Sequence, residues 1–192
     1  LSFLEAEPVF LPAIRGKKNL YKLFICRGRE VATSKGTLSF IVPMALLGDD
    51  QAAGVRRSML LGTQMLAVEA FPQKDDSTDR VFSEAKLSTA LFVCRSGSGS
   101  GGAPFVVRTH MGRQIEPASP SVRLTSADIL RFDGDNVSIL TCSQRDWDIA
   151  SRIVASSRVM RLGDYCRAYQ GEVNETTDGK RGFVSYKVKD GP

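Results

Sequence analysis

The sequence predicts an α/β fold that is closed by an antiparallel hairpin at one edge of the sheet and followed by a smaller, β-rich unit. Between residues 17 and 62, segments with helical spacing of apolar residues alternate with a short apolar run of strand length. The apolar runs at 64–71 and 86–94 follow one another without a helix between them, so we expect them to pair antiparallel. Beyond residue 157 the apolar segments are short and separated by glycines, which is typical of strands joined by turns.

Length and composition are those of a globular protein with one domain, or one domain and a fraction of a second. The chain has 192 residues, of which 42% are hydrophobic and 24% are charged, so it can bury a sizeable core. No apolar run approaches the roughly 20 residues that a membrane-spanning helix needs. The first ten residues contain acidic side chains where a secretory leader would be basic. We therefore expect a cytoplasmic protein that makes no membrane contact.

The cysteines and the single histidine carry no pattern of a metal site or a disulfide framework. Such sites need closer, patterned spacing than the chain offers. We expect reduced cysteines that pack as small apolar side chains. One histidine, His110, excludes a histidine-based metal cluster, and its position after the apolar run "PFVVRT" indicates a structural role. The widely spaced cysteines are Cys26, Cys94, Cys142 and Cys166.

The net charge of +5 is unevenly distributed. Between residues 15 and 35 there are seven basic residues against one acid, Glu30. A basic stretch of this kind can contact a polyanion such as DNA, or it can be the solvated face of a helix. The composition leaves both interpretations open. The basic residues are Arg15, Lys17, Lys18, Lys22, Arg27, Arg29 and Lys35.

The spacing of apolar residues predicts the first two helices and the strand between them. Residues 17–34 predict a helix, and Gly36 follows as a stop signal. The run "GTLSFIVP", between Gly36 and Pro43, is β-prone and predicts a buried strand. A second helix is expected over 50–62, with one apolar face made by Ala52, Val55 and Met59. The apolar residues of the first helix are Leu20, Leu23, Phe24 and Val31.

Two more helices are predicted downstream of the hairpin. Thr125 and Asp128 have the spacing of a capping box for a short helix in "TSADILRF". Ser143 can cap a longer helix over 144–157, with Asp146 at its third position. We expect that helix to bury Trp147, Ala150 and Val154.

The glycine-rich stretch at 96–104, "SGSGSGGAP", matches the spacing G-x-G-x-x-G through Gly97, Gly99 and Gly102. In a dinucleotide site these glycines would open a helix. Here "PFVVRTH" follows, which reads as a strand. A surface turn is therefore favoured over a nucleotide site.

Taken in order, these segments resemble the N6-adenine DNA methyltransferases in which a target-recognition domain follows the catalytic domain, including those fused into type IIG restriction-modification enzymes. The blocks that carry the resemblance are "NLYKLF", "GTLSFIVPMALL", "EAFPQKD" and "KLSTALFV". A later segment, "LGDYCRAYQGEVNETT", resembles the entrance to the recognition domain. The match covers most of 17–95 and then 159–177, and its specificity comes from the order and spacing of the blocks.

The resemblance implies a layout and an activity. Residues 1–157 would be the C-terminal part of the catalytic domain, with half of a doubly wound sheet closed by the edge hairpin. Residues 158–192 would begin the recognition domain. The implied reaction is methyl transfer from S-adenosylmethionine to N6 of an adenine in double-stranded DNA. Because that amine lies inside the base stack, the enzyme must flip the base out and hold it.

The resemblance also implies roles for single residues. Phe71, delivered by its strand to an exposed end, would replace the lost stacking of the flipped adenine, and Lys74 would meet DNA phosphate or the pocket rim. Phe24 would pack against the adenine of the cofactor, and Pro43 would shape the rim of its pocket. Residues that would read base edges or phosphates are Gln170, Asn174, Thr176 and Thr177. The structural alternatives are an edge core aromatic for Phe71, helix packing for Phe24 and a polar surface turn for the last group.

The chain contains no candidate catalytic residue. It has no Pro-Pro dipeptide, so the family's catalytic motif is missing, and no glycine-rich loop joins a first strand to a first helix. In the family both motifs lie upstream. We therefore expect a piece of a longer methyltransferase that lacks its N-terminal half and ends inside the recognition domain.

Two other functions fit the residues. One is a non-catalytic DNA-specificity subunit that uses the same α/β scaffold. The other is an unrelated α/β interaction domain whose basic helix is solvated. Within the methyltransferase interpretation, N4 of cytosine remains an alternative target to N6 of adenine.

We predict that the isolated 192-residue chain neither binds S-adenosylmethionine well nor methylates DNA, because the residues for both tasks are absent. The measurement is transfer of radiolabelled methyl groups to mixed-sequence duplex DNA. Methyl transfer above background by this chain alone would sink the prediction.

Overall fold

The structure is a computed structural model that describes residues 2–97, 102–156, 158–160, 162–166 and 180. The helices are α1 (Ser2–Ala6), α2 (Leu20–Val31), α3 (Ala45–Gly48), α4 (Ala53–Gly62), α5 (Ser126–Phe132), α6 (Gln144–Ala155) and α7 (Leu162–Tyr165). Short 3-10 helices lie at Pro8–Ala13 and Asp50–Ala52. The strands are β1 (Thr37–Pro43), β2 (Thr63–Phe71), β3 (Thr89–Ser96), β4 (Phe105–Thr109) and β5 (Ser121–Leu124). The predicted α/β fold class is confirmed.

The chain divides into two compact units, Leu1–Val154 and Ala155–Pro192. The sheet lies in the first unit, and the described part of the second contains α7. None of the described helices combines the length and the hydropathy that a bilayer crossing would need.

Five strands form one mixed sheet in the order β1-β3-β2-β4-β5. β3 is antiparallel to β1 and β2, β4 is parallel to β2, and β5 is antiparallel to β4. The predicted antiparallel pairing of the runs at 64–71 and 86–94 is confirmed. Its predicted place at the sheet edge is wrong, because β1 pairs along the outer side of β3, from Thr37 opposite Arg95 to Pro43 opposite Thr89.

β1 is therefore an edge strand. The prediction that it is buried is correct for Val42 but not for the strand as a whole. Val42 is buried, whereas Ile41 is 53% exposed and Thr37 and Ser39 are also exposed. Side chains alternate along a strand, so only one face of β1 meets the core.

The hydrophobic core lies on one face of the sheet. The register places Phe92, Val68 and Val107 side by side on this face, and all three are buried. α2 packs closely against it, because a Cβ atom added at Gly28 would lie 3.0 Å from the ring of Phe40. The absence of a side chain at this position sets the distance between helix and strand.

α2 exists where it was predicted but turns a different face to the core. Leu20, Phe24 and Val31 are 68%, 61% and 63% exposed, and Leu23 is half-buried. Three of the four apolar residues at helical spacing therefore lie outside the packing face. The buried residues of α2 are Lys22, Ile25 and Cys26.

Lys22 is the physical reason for this difference. A lysine normally marks the solvated side of a helix, yet Lys22 is 1% exposed. Its ammonium donates hydrogen bonds to the carbonyls of Arg15 (2.8 Å) and Gln51 (3.2 Å). Burial lowers the pKa of Lys22 from its usual value. These bonds compensate the buried polar group, which allows the flanking apolar residues to face the core.

The four cysteines are free thiols. Cys26 and Cys94 are buried, as predicted, and burial raises the pKa of each thiol. Both therefore pack as small neutral side chains. Cys142 is half-buried, and Cys166 is exposed, so the prediction is wrong for Cys166.

Both predicted helix caps are confirmed. The Asp128 N–H donates to Thr125 Oγ1 at 3.0 Å, and the Thr125 N–H donates to the Asp128 carboxylate at 3.0 Å. Ser143 and Asp146 exchange the same pair of bonds at 3.2 Å. These reciprocal bonds satisfy N–H groups that the first turn of a helix leaves free.

The predicted buried stripe of α6 is correct at its first position only. Trp147 is buried and meets the ring of Phe132 edge-on, with centroids 5.4 Å apart. Ala150 is half-buried and Val154 is 39% exposed. Of these three residues, Trp147 in the first turn is the one that belongs to the core.

Arg56 of α4 is fully buried and binds backbone carbonyls from two distant segments. Its Nη1 donates to the carbonyls of Leu46 (2.8 Å) and Asp49 (2.7 Å). Its Nε and Nη2 donate to the carbonyls of Val137 (3.1 Å) and Asn136 (2.6 Å). Burial lowers the pKa of this guanidinium, but an arginine stays protonated in proteins. Carbonyl dipoles therefore compensate the buried charge, and Arg56 joins α3 and the residue after it to the segment after α5.

Val137 shows how firmly the second segment is held. Its φ is 57°, a left-handed conformation that is unfavourable for a β-branched residue and costs about 1–3 kcal/mol. Its N–H donates to the carbonyl of Asp133 at 2.8 Å, and its side chain is fully buried. These contacts and the bond from Arg56 offset the strain.

We predict that Arg56→Met lowers the free energy of unfolding by at least about 3 kcal/mol, because several buried carbonyls lose their donor at about 1–3 kcal/mol each. Arg57→Met is the matched control, since Arg57 is half-buried and donates to the single carbonyl of Gly134. Its loss should be about 1 kcal/mol. Urea unfolding followed by Trp147 fluorescence gives both values, and similar losses would contradict the role of Arg56 in joining the two segments.

Candidate functional site

Three strands end at the same edge of the sheet. β1 and β2 both run antiparallel to β3, and β4 is parallel to β2, so β1, β2 and β4 share one direction. In open α/β sheets, ligands bind outside the carboxyl ends of such strands. This carboxyl edge carries Pro43 at the end of β1, Phe71 at the end of β2 and His110 directly after β4.

Thr89, the first residue of β3, places two predicted site residues in register. It pairs with Pro43 on one side and with Phe71 on the other. Neighbouring strands lie about 4.8 Å apart, so Pro43 and Phe71 are separated by about 10 Å across the sheet. Pro43 is half-buried and Thr89 is buried. The fold thus brings together residues from two blocks that lie far apart in the sequence.

Phe71 lies at the carboxyl edge, but its side chain is not on the surface. It is 5% exposed, so the expectation that the strand delivers it to an exposed end is wrong. Its ring stacks on His110, with centroids 4.9 Å apart and an interplanar angle of 30°. A base can stack on this ring only after the ring becomes accessible.

A buried polar cluster surrounds the stacked rings, and it includes residues that the sequence did not single out. Glu69 Oε2 lies 2.8 Å from His110 Nε2, and Glu69 Oε1 accepts a bond from Arg108 at 3.0 Å. Glu69 and His110 are 6% and 0% exposed. The signal in the sequence is that residues two positions apart lie on the same face of a strand. This spacing puts Glu69 with Phe71 on one face of β2. It puts Arg108 with His110 on the same face at the end of the neighbouring β4.

Lys74 is exposed in the irregular segment between β2 and β3. The base of this segment is closed by a bond from Ser88 Oγ to the carbonyl of Pro72 at 2.8 Å. Within it, Lys86 and Asp75 form an ion pair at 3.1 Å. The ammonium of Lys74 is therefore available to an anion at the carboxyl edge.

Phe24 is 61% exposed on α2, so the alternative of plain helix packing is wrong. Gly28 lies over Phe40, and the short connection from α2 to β1 makes the two elements run in opposite directions. Phe24, one turn before Gly28, therefore lies towards the carboxyl edge. An exposed aromatic face there suits a flat ligand ring.

The predicted DNA-reading residues lie outside the described residues, so their role stays a prediction. They are Gln170, Asn174, Thr176 and Thr177.

No family model matches the sequence, and no curated protein is similar enough in sequence to match it. Solved structures match its fold. The methyltransferase subunit of a type I restriction-modification system from Streptococcus thermophilus has a TM-score of 0.53 and 12% identity, over 72% of this chain and 34% of that chain. The type IIG restriction endonuclease BpuSI has a TM-score of 0.48 and 14% identity, over 70% and 17% of the two chains. A chain of another type I restriction-modification system has a TM-score of 0.49 and 11% identity, over 88% and 38%.

The similarity to the Streptococcus thermophilus subunit is a similarity of fold. It shows a mixed α/β architecture with a five-stranded mixed sheet of the kind found in that methyltransferase subunit. This chain spans about a third of the subunit's length, 34%.

We predict that truncating the two aromatic candidates has very different effects on stability. Phe71→Ala should lower the free energy of unfolding by about 3–5 kcal/mol, because it leaves a cavity beside His110. Phe24→Ala should change it by about 0.5 kcal/mol or less, because an exposed side chain loses few contacts. Urea unfolding of this chain measures both. A neutral Phe71→Ala would mean that the ring is less well packed than its burial indicates.

Proposed function

We infer that this chain is part of a site-specific DNA methyltransferase of a restriction-modification system, which transfers a methyl group from S-adenosylmethionine to N6 of adenine. The observation that carries the proposal is the carboxyl edge, where Thr89 sets Pro43 and Phe71 in register on a sheet that resembles a methyltransferase subunit. The blocks of sequence that form this edge are those that resemble the family. The reaction is proposed for the whole protein, and no residue of this chain is proposed as catalytic.

Phe71 is proposed to stack on the extruded adenine. Stacking on an aromatic side chain is worth about 1–3 kcal/mol per base, which helps to offset the cost of removing the base from the duplex. The ring is 5% exposed, so base capture requires it to become accessible. Phe71 is the last residue of β2, and the irregular segment that follows it can move without breaking the pairing of the sheet.

Phe24 and Pro43 are proposed to hold the adenosine end of S-adenosylmethionine. When bound, this cofactor supplies an electrophilic methyl group. Phe24 offers an exposed aromatic face, and Pro43 lies half-buried at the carboxyl end of β1. This pairing fits a flat heterocycle that lies between a helix and a strand end.

Double-stranded DNA is the proposed partner in the cytoplasm. Lys74 would neutralise a phosphate beside the extruded base, which is a sequence-independent contact. Gln170, Asn174, Thr176 and Thr177 would contact base edges or phosphates, because their side chains both donate and accept hydrogen bonds or carry hydroxyl groups.

The test uses the methyltransferase that contains this chain and compares Phe71→Leu with Phe71→Tyr. Leucine keeps an apolar side chain of similar volume, so the loss of stability should stay below about 1.5 kcal/mol. It removes the flat ring, so the methylation rate at subsaturating DNA should fall roughly 5- to 150-fold. This factor corresponds to the loss of about 1–3 kcal/mol of stacking free energy. Tyrosine keeps the ring and should retain most activity.

Phe82→Leu is the matched control, because Phe82 lies in the same irregular segment and is 47% exposed. Its methylation rate should equal that of the unchanged protein. The readouts are incorporation of labelled methyl groups into DNA and the fluorescence of 2-aminopurine at the target position, which rises when the base leaves the stack. If Phe71→Leu behaves like Phe82→Leu, Phe71 does not hold the base.

A further inference from the structure

His110 is a fully buried histidine whose protonation pattern is set by its neighbours. Nδ1 accepts a hydrogen bond from the Glu116 backbone N–H at 3.2 Å and lies 2.9 Å from Ser119 Oγ. A backbone N–H can only donate, so Nδ1 is the unprotonated nitrogen. The proton of the neutral ring is therefore on Nε2, where it points at the Glu69 carboxylate 2.8 Å away.

These bonds fix the plane of the imidazole ring. Glu69 is itself held by Arg108 at 3.0 Å, and the two residues are directly opposite each other in the register of β2 and β4. Charge-assisted hydrogen bonds of this kind are stronger than neutral ones. His110 thus has a bonded partner at each ring nitrogen, one on a central strand and the others in the loop that follows β4.

The ring that is held in this way lies against Phe71. The two centroids are 4.9 Å apart, and the planes differ by 30°. The backbone of Phe71 pairs with Thr89 of β3, which holds its position at the end of the strand. The stack with His110 is a ring-to-ring contact and constrains the tilt of the Phe71 ring.

We propose that His110 is a positioning residue for base capture: it sets the plane of Phe71 on which the extruded adenine stacks. This inference rests on the proposed function of Phe71. His110 itself touches neither the base nor the cofactor. Its Glu69 and Ser119 bonds make the ring a rigid backing, so Phe71 presents its face in one orientation when it becomes accessible.

The central variant is His110→Gln in the methyltransferase that contains this chain. The glutamine amide can still donate to Glu69, but it removes the flat ring behind Phe71. A double-mutant cycle with Phe71→Leu separates positioning from general support of the fold. The 2-aminopurine fluorescence change at the target position and the KM for DNA are measured for all four proteins, with urea unfolding as the stability control.

We expect His110→Gln to weaken base capture about fivefold or more when Phe71 is present, a loss comparable with the lower end of base stacking on an aromatic ring. In the Phe71→Leu background the same change should have an effect of about twofold or less, the range expected when two sites no longer interact. A residue that merely supports the fold would cost the same in both backgrounds.

An equal loss in both backgrounds would overturn the positioning role and leave the proposed function intact. If Phe71→Leu alone does not weaken base capture, the role of Phe71 fails and this inference fails with it. Should His110→Gln not fold, Ser119→Ala goes through the same cycle, because it removes one Nδ1 partner and keeps the ring. It should then give a smaller loss that also disappears without Phe71.

Discussion

The simultaneous pairing of β3 with β1 and with β2 is the constraint on which the rest of the structure depends. Side chains alternate between the faces of a sheet, so a slip of one residue in either pairing would turn Pro43 or Phe71 to the opposite face. Thr89 is held on both sides and is buried. The candidate site is therefore determined by strand register before any loop contributes to it.

Buried charges supplement this backbone constraint, and each is compensated by specific hydrogen-bond partners. Arg56 uses carbonyls from two segments, Lys22 uses two carbonyls near the start of α2, and Glu69 lies between Arg108 and His110. An uncompensated charge in these places would be very costly. Each compensated charge consequently favours one arrangement of the surrounding chain.

Local patterns in the sequence were enough for most elements, and long-range contacts account for what they missed. The apolar run of β2, the face of α4 and the Thr125 cap depend on residues close together in the chain, and the structure has them as predicted. The burial of Phe71 depends on His110, which is 39 positions away in the numbering. The core-facing side of α2 depends on carbonyls that accept bonds from Lys22. No periodicity encodes partners of that kind.

The close contact at Gly28 has a consequence for how this protein can change over time. A single methyl group there would press on the rings and branches of Phe40 and Leu38, at 3.0 and 3.2 Å. The ends of these two side chains would have to yield by a few tenths of an ångström, or α2 would have to move away from β1 and carry Phe24 with it. Where the side chains cannot yield, one added methyl group would shift an exposed aromatic ring one helical turn away. The residue at position 28 is thus coupled through geometry to the placement of the Phe24 ring.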